Sequence, residues 1–233
     1  MKQISIPCAV LLIFIFSLTA ASGQGAGFPV FDAEFWFFND HEPLFPGPER
    51  KNREEENEEN IKKLKNLLEE ASYAFSGMIY GFNFSYTPSD RSRGVDEIFE
   101  FTPAAVIRGG DSALTVKKTR MDKTRTYVSI EYRCDERHEN WLSYWMSSVF
   151  PVTGGSGKGI PDASPDARKK AVSDAVKEAV RDYMRGRVHN KPRSISGSCV
   201  FSEPPVISHM AGLYTASVKI RLDVKDVEKY TVF

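Results

Sequence analysis

The chain has 233 residues, with 31 basic and 31 acidic side chains and hence a formal net charge of zero at pH 7. This balance gives no global electrostatic reason to bind nucleic acid, and we expect no nucleic-acid partner. A hydrophobic content of 41% suits an ordinary globular core, in one large domain or two small ones.

Residues 1–23 have the pattern of a secretory signal peptide. One lysine precedes an apolar run from Ile4 to about Ala21, and small residues follow the run. We predict cleavage near Gly23 and an exported mature protein, periplasmic or secreted. The alternative is a retained membrane anchor, because the run almost reaches spanning length. No later segment is apolar over that length, so we expect no membrane span after the signal is removed.

Residues 24–53 form an N-terminal arm that is rich in aromatic residues and proline. Large apolar groups at this density are not typical of a disordered linker. The simpler interpretation is that the arm packs on the protein's own core. The alternative is a docking surface for a partner, for which the candidate residues are Phe35, Trp36, Phe37 and Phe38.

Residues 54–150 are predicted to form a first helix-and-strand unit. Apolar residues recur at helical spacing over residues 54–76. After Gly77 the period changes to two, which predicts a strand with one aromatic face. The residues of that face are Tyr80, Phe82, Phe84 and Tyr86. Residues 89–124 are an insertion in this unit.

The last part of the insertion begins a predicted hairpin with a concentration of positive charge. Its basic residues are Lys117, Lys118, Arg120, Lys123 and Arg125. They are candidates for binding an anionic envelope polymer or a lipid head group. The alternative is that they keep an exposed hairpin soluble and unpaired.

Residues 151–163 are predicted from their composition to be a Gly-rich loop between two units. The run "GGSGKG" invites comparison with a phosphate-binding loop. That motif needs glycine where Val152 stands and serine or threonine where Gly159 stands. A flexible loop is therefore the better interpretation.

Residues 164–233 are predicted to form a second helix-and-strand unit. Ser164 is a good N-cap and Pro165 suits the first helical position, so we predict a helix over residues 165–188. Basic residues crowd its C-terminal end, where the helix dipole favours cations. They are Arg185, Arg187 and His189. A long strand of alternating apolar residues follows over residues 212–224.

The two halves contain one similar strand. Residues 127–135, "YVSIEYRCD", and residues 215–223, "TASVKIRLD", share Ser, Arg and Asp at their third, seventh and ninth positions. We therefore predict an internal repeat, although amphipathic strands also resemble one another by chance. The predicted fold class is α+β, with two related helix-strand-strand units that pack helices on a mixed or antiparallel sheet.

Removal of the signal peptide leaves two cysteines, Cys134 and Cys199. In an oxidising compartment such a pair is a candidate disulfide, and we predict that they are joined. The alternative is two unrelated buried thiols. A catalytic role is not indicated, because there is no CxxC motif and both lie in strand-like runs.

Residues 164–223 resemble a module of bacterial envelope proteins, among them flagellum-associated periplasmic proteins and small outer-membrane lipoproteins. The resemblance is carried by the Ala-rich helix "DARKKAVSDAVKEAV" and by the last strand, "GLYTASVKIRLD". It covers about a quarter of the chain and implies a periplasmic, non-enzymatic role in envelope assembly. The chain lacks the lipid-attachment cysteine of the lipoprotein members.

The sequence offers no catalytic, cofactor-binding or metal-binding motif. Two His-Glu pairs, at His41 and His138, lack the second histidine of a zinc-protease helix. There is also no GxSxG motif around a nucleophilic serine. We therefore expect no cofactor and no metal. Whether the chain is an enzyme stays open at this point, with a non-catalytic role favoured.

The function favoured by these observations is that of an exported, non-catalytic envelope protein that binds or helps to assemble a larger cell-envelope structure. Its partner would be an envelope protein or an anionic envelope polymer. One alternative is a secreted hydrolase whose site is assembled from distant residues, for which the loose candidates are His138, Glu139, His189 and His209. Another is a soluble-ligand carrier with a binding space between sheet and helices.

Overall fold

The structure is a computed structural model, and it describes residues 27–39, 53–160 and 166–230. The predicted signal peptide lies outside the described residues, as does the predicted N-cap of the second helix at Ser164.

Strands dominate the described part of the chain. The elements, in chain order, are β1 (Val30–Phe38), α1 (Arg53–Ile79), β2 (Phe82–Thr87), β3 (Ile98–Pro103), β4 (Leu114–Met121), β5 (Arg125–Arg133), α2 (Glu139–Trp145), β6 (Val152–Gly159), α3 (Ala167–Arg185), β7 (Ser194–Phe201), β8 (Val206–Met210) and β9 (Leu213–Glu228). The described residues hold nine strands and three α-helices, and more of them lie in strands than in helices, so the predicted α+β class is wrong and the fold is mainly β.

The strands form two antiparallel sheets. The smaller sheet has the order β1-β5-β4, and the larger has the order β3-β2-β7-β9-β6. The long strand β9 pairs with β6 on one edge, and on its other edge with β7 and then β8. Because β2 pairs with β3 on one edge and with β7 on the other, strands from both predicted units share the larger sheet.

The predicted repeat is not reproduced in the strand pairing. The two similar segments lie in β5 and β9, each of which is an interior strand of its own sheet. In the second half β7 pairs with β9, whereas in the first half β2 pairs with β3 and β7 and never with β5. The two halves therefore do not form equivalent helix-strand-strand units, because the strand after each helix has different neighbours.

The larger sheet buries its apolar face under α3. Alternate residues of β2, β7 and β9 point to this face, since side chains alternate across a strand. Its buried residues include Phe82, Phe84, Tyr86, Ile195, Cys199, Phe201, Ile220 and Leu222. The helix contributes two adjacent rows of small and β-branched residues. They are Ala171, Ala175 and Ala179, and Val172, Val176 and Val180.

The segment predicted as a Gly-rich loop is instead strand β6, and its glycines serve close packing. A Cβ atom added to Gly155 or Gly157 would overlap sterically with the α3 backbone at Ala175. Every second residue from Gly155 to Gly159 is thus a glycine that faces the helix, and the missing side chains let helix and strand approach closely. Composition alone cannot separate this use of glycine from its use in flexible loops.

A second core lies between α1 and the smaller sheet. Its buried residues include Phe35, Leu67, Ala71, Phe75, Ile79, Val128, Ile130 and Tyr132. Two buried serines of α1 fix the connection that follows β3: the Ser72 hydroxyl donates to the Ile107 carbonyl at 2.7 Å, and the Ile107 amide donates to Ser76 Oγ at 2.8 Å. These bonds satisfy polar groups that burial would otherwise leave unpaired.

The predicted Cys134–Cys199 disulfide is not formed in the structure, where both cysteines are free and buried. Cys134 follows β5 and belongs to the core beneath the smaller sheet, whereas Cys199 lies in β7 and belongs to the core beneath α3. An even cysteine count cannot reveal that the two side chains enter different cores.

Substitution Gly157→Ala is expected to destabilise the fold by about 2 kcal/mol or more, because the added methyl group would meet helix backbone that cannot move aside. The measurement is the free energy of unfolding from a denaturant titration. Gly186→Ala is the control, since a Cβ atom there meets nothing within 4 Å. Equal stability of the two variants would contradict the close β6–α3 contact.

In a chain that begins at residue 24, both cysteines are expected to react with an alkylating reagent only after denaturation, without any reductant. Burial and the neighbouring Asp135 carboxylate raise the pKa of Cys134 to about 11, and burial raises the pKa of Cys199 further. The native reaction of Cys134 should be roughly 100-fold slower than that of a free thiol, because thiolate is the reactive form. Mass spectrometry counts the labels. If the denatured protein takes up the label only after a reductant is added, the two cysteines are not free thiols.

Candidate functional site

The four aromatic residues proposed for docking lie in β1, an edge strand of the smaller sheet. Phe35 points into the core under α1, where its ring meets Phe75 edge-on at 6.0 Å between centroids. Phe37 is half-buried on the same side, and Trp36 lies on the opposite side but is only 7% exposed. Phe38 is the most accessible of the four, at 36%.

Trp36 connects the smaller sheet to the larger one. Its indole Nε1–H donates to the Ile207 carbonyl of β8 at 3.0 Å. Two guanidinium groups lie over its ring, those of Arg125 at 4.1 Å and Arg168 at 4.2 Å from the centroid. Such cation–π contacts are attractive and gain strength when water is excluded. Strand β1, the first turn of α3 and the β8–β9 hairpin therefore meet at one side chain.

An ion pair extends this connection to α1. Arg168 Nη1 lies 2.7 Å from Glu70 Oε2, and both side chains are largely buried. Burial raises the pKa of Glu70, while the Arg168 guanidinium opposes that rise. We call Trp36, Arg125, Arg168 and Glu70 the Trp36 clamp. Each of these four side chains contacts another residue of this chain.

The basic hairpin is exposed. Lys117, Lys118, Arg120 and Lys123 are accessible to solvent, whereas Arg125 is half-buried against Trp36. Arg120 lies 3.1 Å from Glu34 and covers the Tyr127 ring, and Lys117 lies 3.1 Å from Glu131. Lys118 and Lys123 form no ion pair with any residue that the structure describes.

The histidines proposed for a hydrolase do not come together. His138 is buried, with Nδ1 accepting the Asp135 amide at 3.0 Å and Nε2 lying 3.2 Å from Tyr132 Oη. Glu139, beside it in sequence, is exposed. His209 lies in β8 between the rings of Phe38 and Tyr214.

His189 follows the C-terminal end of α3 and lines a cleft to which neither His138 nor His209 contributes. Across the described ranges, no group of three or more His, Cys, Asp or Glu residues could hold a metal ion.

A cleft of about 490 Å³ opens at the C-terminal end of α3. It lies between that helix end, the ends of β2 and β7, and the segment that joins β2 to β3. Apolar groups line its inner part: Tyr86, Pro88, Met184, Val188, Pro192 and Ile195. Charged and polar groups line the rest: Ser89, Glu97, Arg181, Arg185, His189, Asn190 and Lys191.

The single acid of the cleft is held by neighbours. The Tyr86 hydroxyl donates to Glu97 Oε1 at 2.8 Å, and Lys177 Nζ lies 3.1 Å from Glu97 Oε2. Burial opposes ionisation, but these partners hold the pKa of Glu97 below its ordinary value. No sequence motif predicts this cleft. Its available signal was the basic cluster at the end of α3, which is equally explained by the helix dipole.

Comparisons with known proteins give the relationship of the chain but no activity. One protein-family model matches residues 20–230, which is most of the sequence. The chain belongs to this family. It is also 24% identical over 167 residues to an uncharacterized protein of Treponema pallidum (strain Nichols), an alignment that covers 72% of this chain and 70% of the relative. No solved structure matches.

Among the helices that the structure describes, none is both long and apolar enough to cross a membrane. Neither the family model nor the Treponema relative is described by a flagellar or lipoprotein role. The resemblance to envelope modules therefore stays a prediction.

Thermodynamic coupling of about 1 kcal/mol is expected between Trp36 and Arg168 in a double-mutant cycle of Trp36→Leu and Arg168→Met, because the cation–π contact is largely shielded from water. The cycle is measured by denaturant unfolding of the four proteins.

The control cycle replaces Arg168→Met with Arg187→Met, which removes a guanidinium that stacks on Tyr183 instead. That cycle should show coupling below about 0.3 kcal/mol. Equal coupling in both cycles would mean that Trp36 does not join β1 to α3 through Arg168.

Proposed function

We propose that this chain is an exported, non-catalytic protein of a bacterial cell envelope that binds or helps to assemble a larger envelope structure. In this proposal the contact surface is the β4–β5 hairpin, and the partner is an anionic envelope polymer. The pattern of residues 1–23 supports export, and the Treponema relative supports a bacterial setting.

The observation that carries the proposal is the uneven charge of the hairpin in a chain of zero formal charge. Five basic residues stand between positions 117 and 125, against one acid, Asp122. That acid is engaged in the turn, where its Oδ1 accepts the amides of Thr124 at 2.8 Å and Arg125 at 2.7 Å. Those backbone bonds hold the pKa of Asp122 below its ordinary value.

The hairpin also presents its charges on one face of the sheet. The register shift between Val116 and Lys118 leaves Lys117 beside Glu131, while Lys118 pairs with Ser129 and Arg120 with Tyr127. Because Glu131, Ser129 and Tyr127 alternate with the buried residues of β5, all three basic residues lie on the outer face. Surface ion pairs of this kind are weak and can exchange for contacts with a polyanion.

Substitution of Lys118→Gln together with Lys123→Gln is expected to weaken binding to fluorescent dextran sulfate, a soluble polyanion, by about tenfold or more. Each lysine beside an anionic surface contributes roughly 1 kcal/mol. Fluorescence anisotropy measures the dissociation constant, and raised salt should weaken the wild-type interaction.

The matched control is Lys62→Gln with Lys65→Gln, which removes two exposed lysines from α1. Neutral dextran of the same length controls for the polymer. An equal loss in both double variants, or equal binding of both dextrans, would contradict the hairpin as the contact surface. Cross-linking to a protein without any binding to the polyanion would favour a protein partner instead.

A further inference from the structure

The cleft at the end of α3 is independent of the hairpin and has the construction of a ligand site. Its volume of about 490 Å³ falls within the range of small-molecule pockets. The inner wall is formed by buried residues of the α3 core, among them Tyr86, Met184 and Ile195. A ligand that enters the cleft would therefore cover apolar groups that belong to the rigid part of the fold.

Positive charge dominates the mouth of the cleft. Arg181, Arg185 and Lys191 line it together with His189, whereas Glu97 is already neutralised by Lys177 from outside the cleft. The C-terminal carbonyls of α3 oppose an anion in principle. The Met184 carbonyl, however, already accepts the amides of Arg187 at 2.9 Å and Val188 at 3.0 Å.

One donor in this cleft has no acceptor. Arg181 pairs through Nη2 with Glu178, but its buried Nε has no hydrogen-bond partner in the part of the chain that the structure describes. A buried N–H without an acceptor is destabilising. Because the Nε atom is shielded from solvent, a small shift of the Arg181 side chain would be needed for an acceptor on a bound molecule to satisfy it. Arg185 lies 3.2 Å from Asp182, in an ion pair whose two side chains are both exposed and which is easily exchanged.

We propose that this cleft binds an organic anion with an apolar body, such as a medium-chain carboxylate. The anionic group lies against Arg181, Arg185 and His189, and the apolar body lies against Met184 and Ile195. Both parts of the ligand are required, because the charged mouth and the apolar wall form one continuous cleft. The same chemistry is found in free amphiphiles and in anionic membrane lipids.

The first experiment uses 8-anilinonaphthalene-1-sulfonate, a fluorescent organic anion with an apolar body, as the probe for a chain that begins at residue 24. We expect saturable fluorescence enhancement that decanoate reverses. Decyltrimethylammonium, with the same tail and opposite charge, and inorganic phosphate, with charge and no tail, should each be at least about tenfold weaker competitors. Competition by decyltrimethylammonium as strong as that by decanoate would overturn the proposal.

Variants then locate the probe. Arg181→Gln is expected to weaken probe binding about tenfold. The double variant Arg185→Gln with His189→Gln is expected to have the same effect and to leave folding intact, because both side chains are exposed. The control Arg187→Gln removes a charge from the same helix end but outside the cleft. Unchanged binding in the double variant, or an equal loss in Arg187→Gln, would overturn the site.

Because the probe also binds loosened folds, each variant is checked for cooperative unfolding. Cosedimentation with phosphatidylglycerol vesicles separates the two sources of ligand. Displacement by decanoate without vesicle binding supports a free amphiphile, and vesicle binding that the Arg185/His189 variant abolishes supports a membrane lipid. Vesicle binding that only the Lys118/Lys123 variant abolishes, with no displacement by decanoate, would overturn the proposal.

Discussion

The backbone contact between β6 and α3 is the constraint on which both ends of the structure depend. Glycines at every second position of β6 meet the alanine row of α3, and the Lys158 amide adds a bond to Asp174 at 2.9 Å. With α3 held in this way, Arg168 in its first turn reaches Trp36. Arg181 and Arg185 near its last turn line the cleft. One packed helix therefore positions a structural junction at one end and a candidate ligand site at the other.

Each sheet has its own core, and the two cores are joined by apolar packing of α1 and by a few directional contacts. Met78 packs against both cores, and the Tyr73 ring lies 5.1 Å from the Phe82 ring. Helix α1 closes the core of the smaller sheet and carries Glu70 to Arg168, while Trp36 carries the indole N–H to the β8 backbone. Strand β8 pairs with β9 along one edge. The indole N–H donates to a β8 carbonyl that strand pairing leaves without a partner. The aromatic residues of β1 thus hold the fold together, which leaves Phe38 as their accessible part.

Charge is distributed unevenly in a chain that is neutral as a whole. The hairpin holds basic groups on a flat, exposed face, whereas the cleft holds them at the mouth of an apolar recess. A flat basic surface suits an extended polyanion, because many weak contacts add along the polymer. A recess suits a small amphiphilic anion, because it offers charge and apolar contact together. The two proposals therefore require different ligands and can fail separately.

The sequence by itself determined the local elements. Helical spacing predicted residues 54–76 and 165–188, and the structure has Arg53–Ile79 and Ala167–Arg185. Alternation predicted the strands that became β2, β4, β5 and β9, because period and propensity are properties of neighbouring residues. Only the tertiary structure decided the roles that depend on distant partners. Gly157 became part of a strand because Ala175 lies opposite, and Cys134 and Cys199 remained apart because they enter different cores. Neither the Trp36 clamp nor the cleft has a local signature, since each is assembled from segments separated by more than 80 residues that only strand pairing brings together.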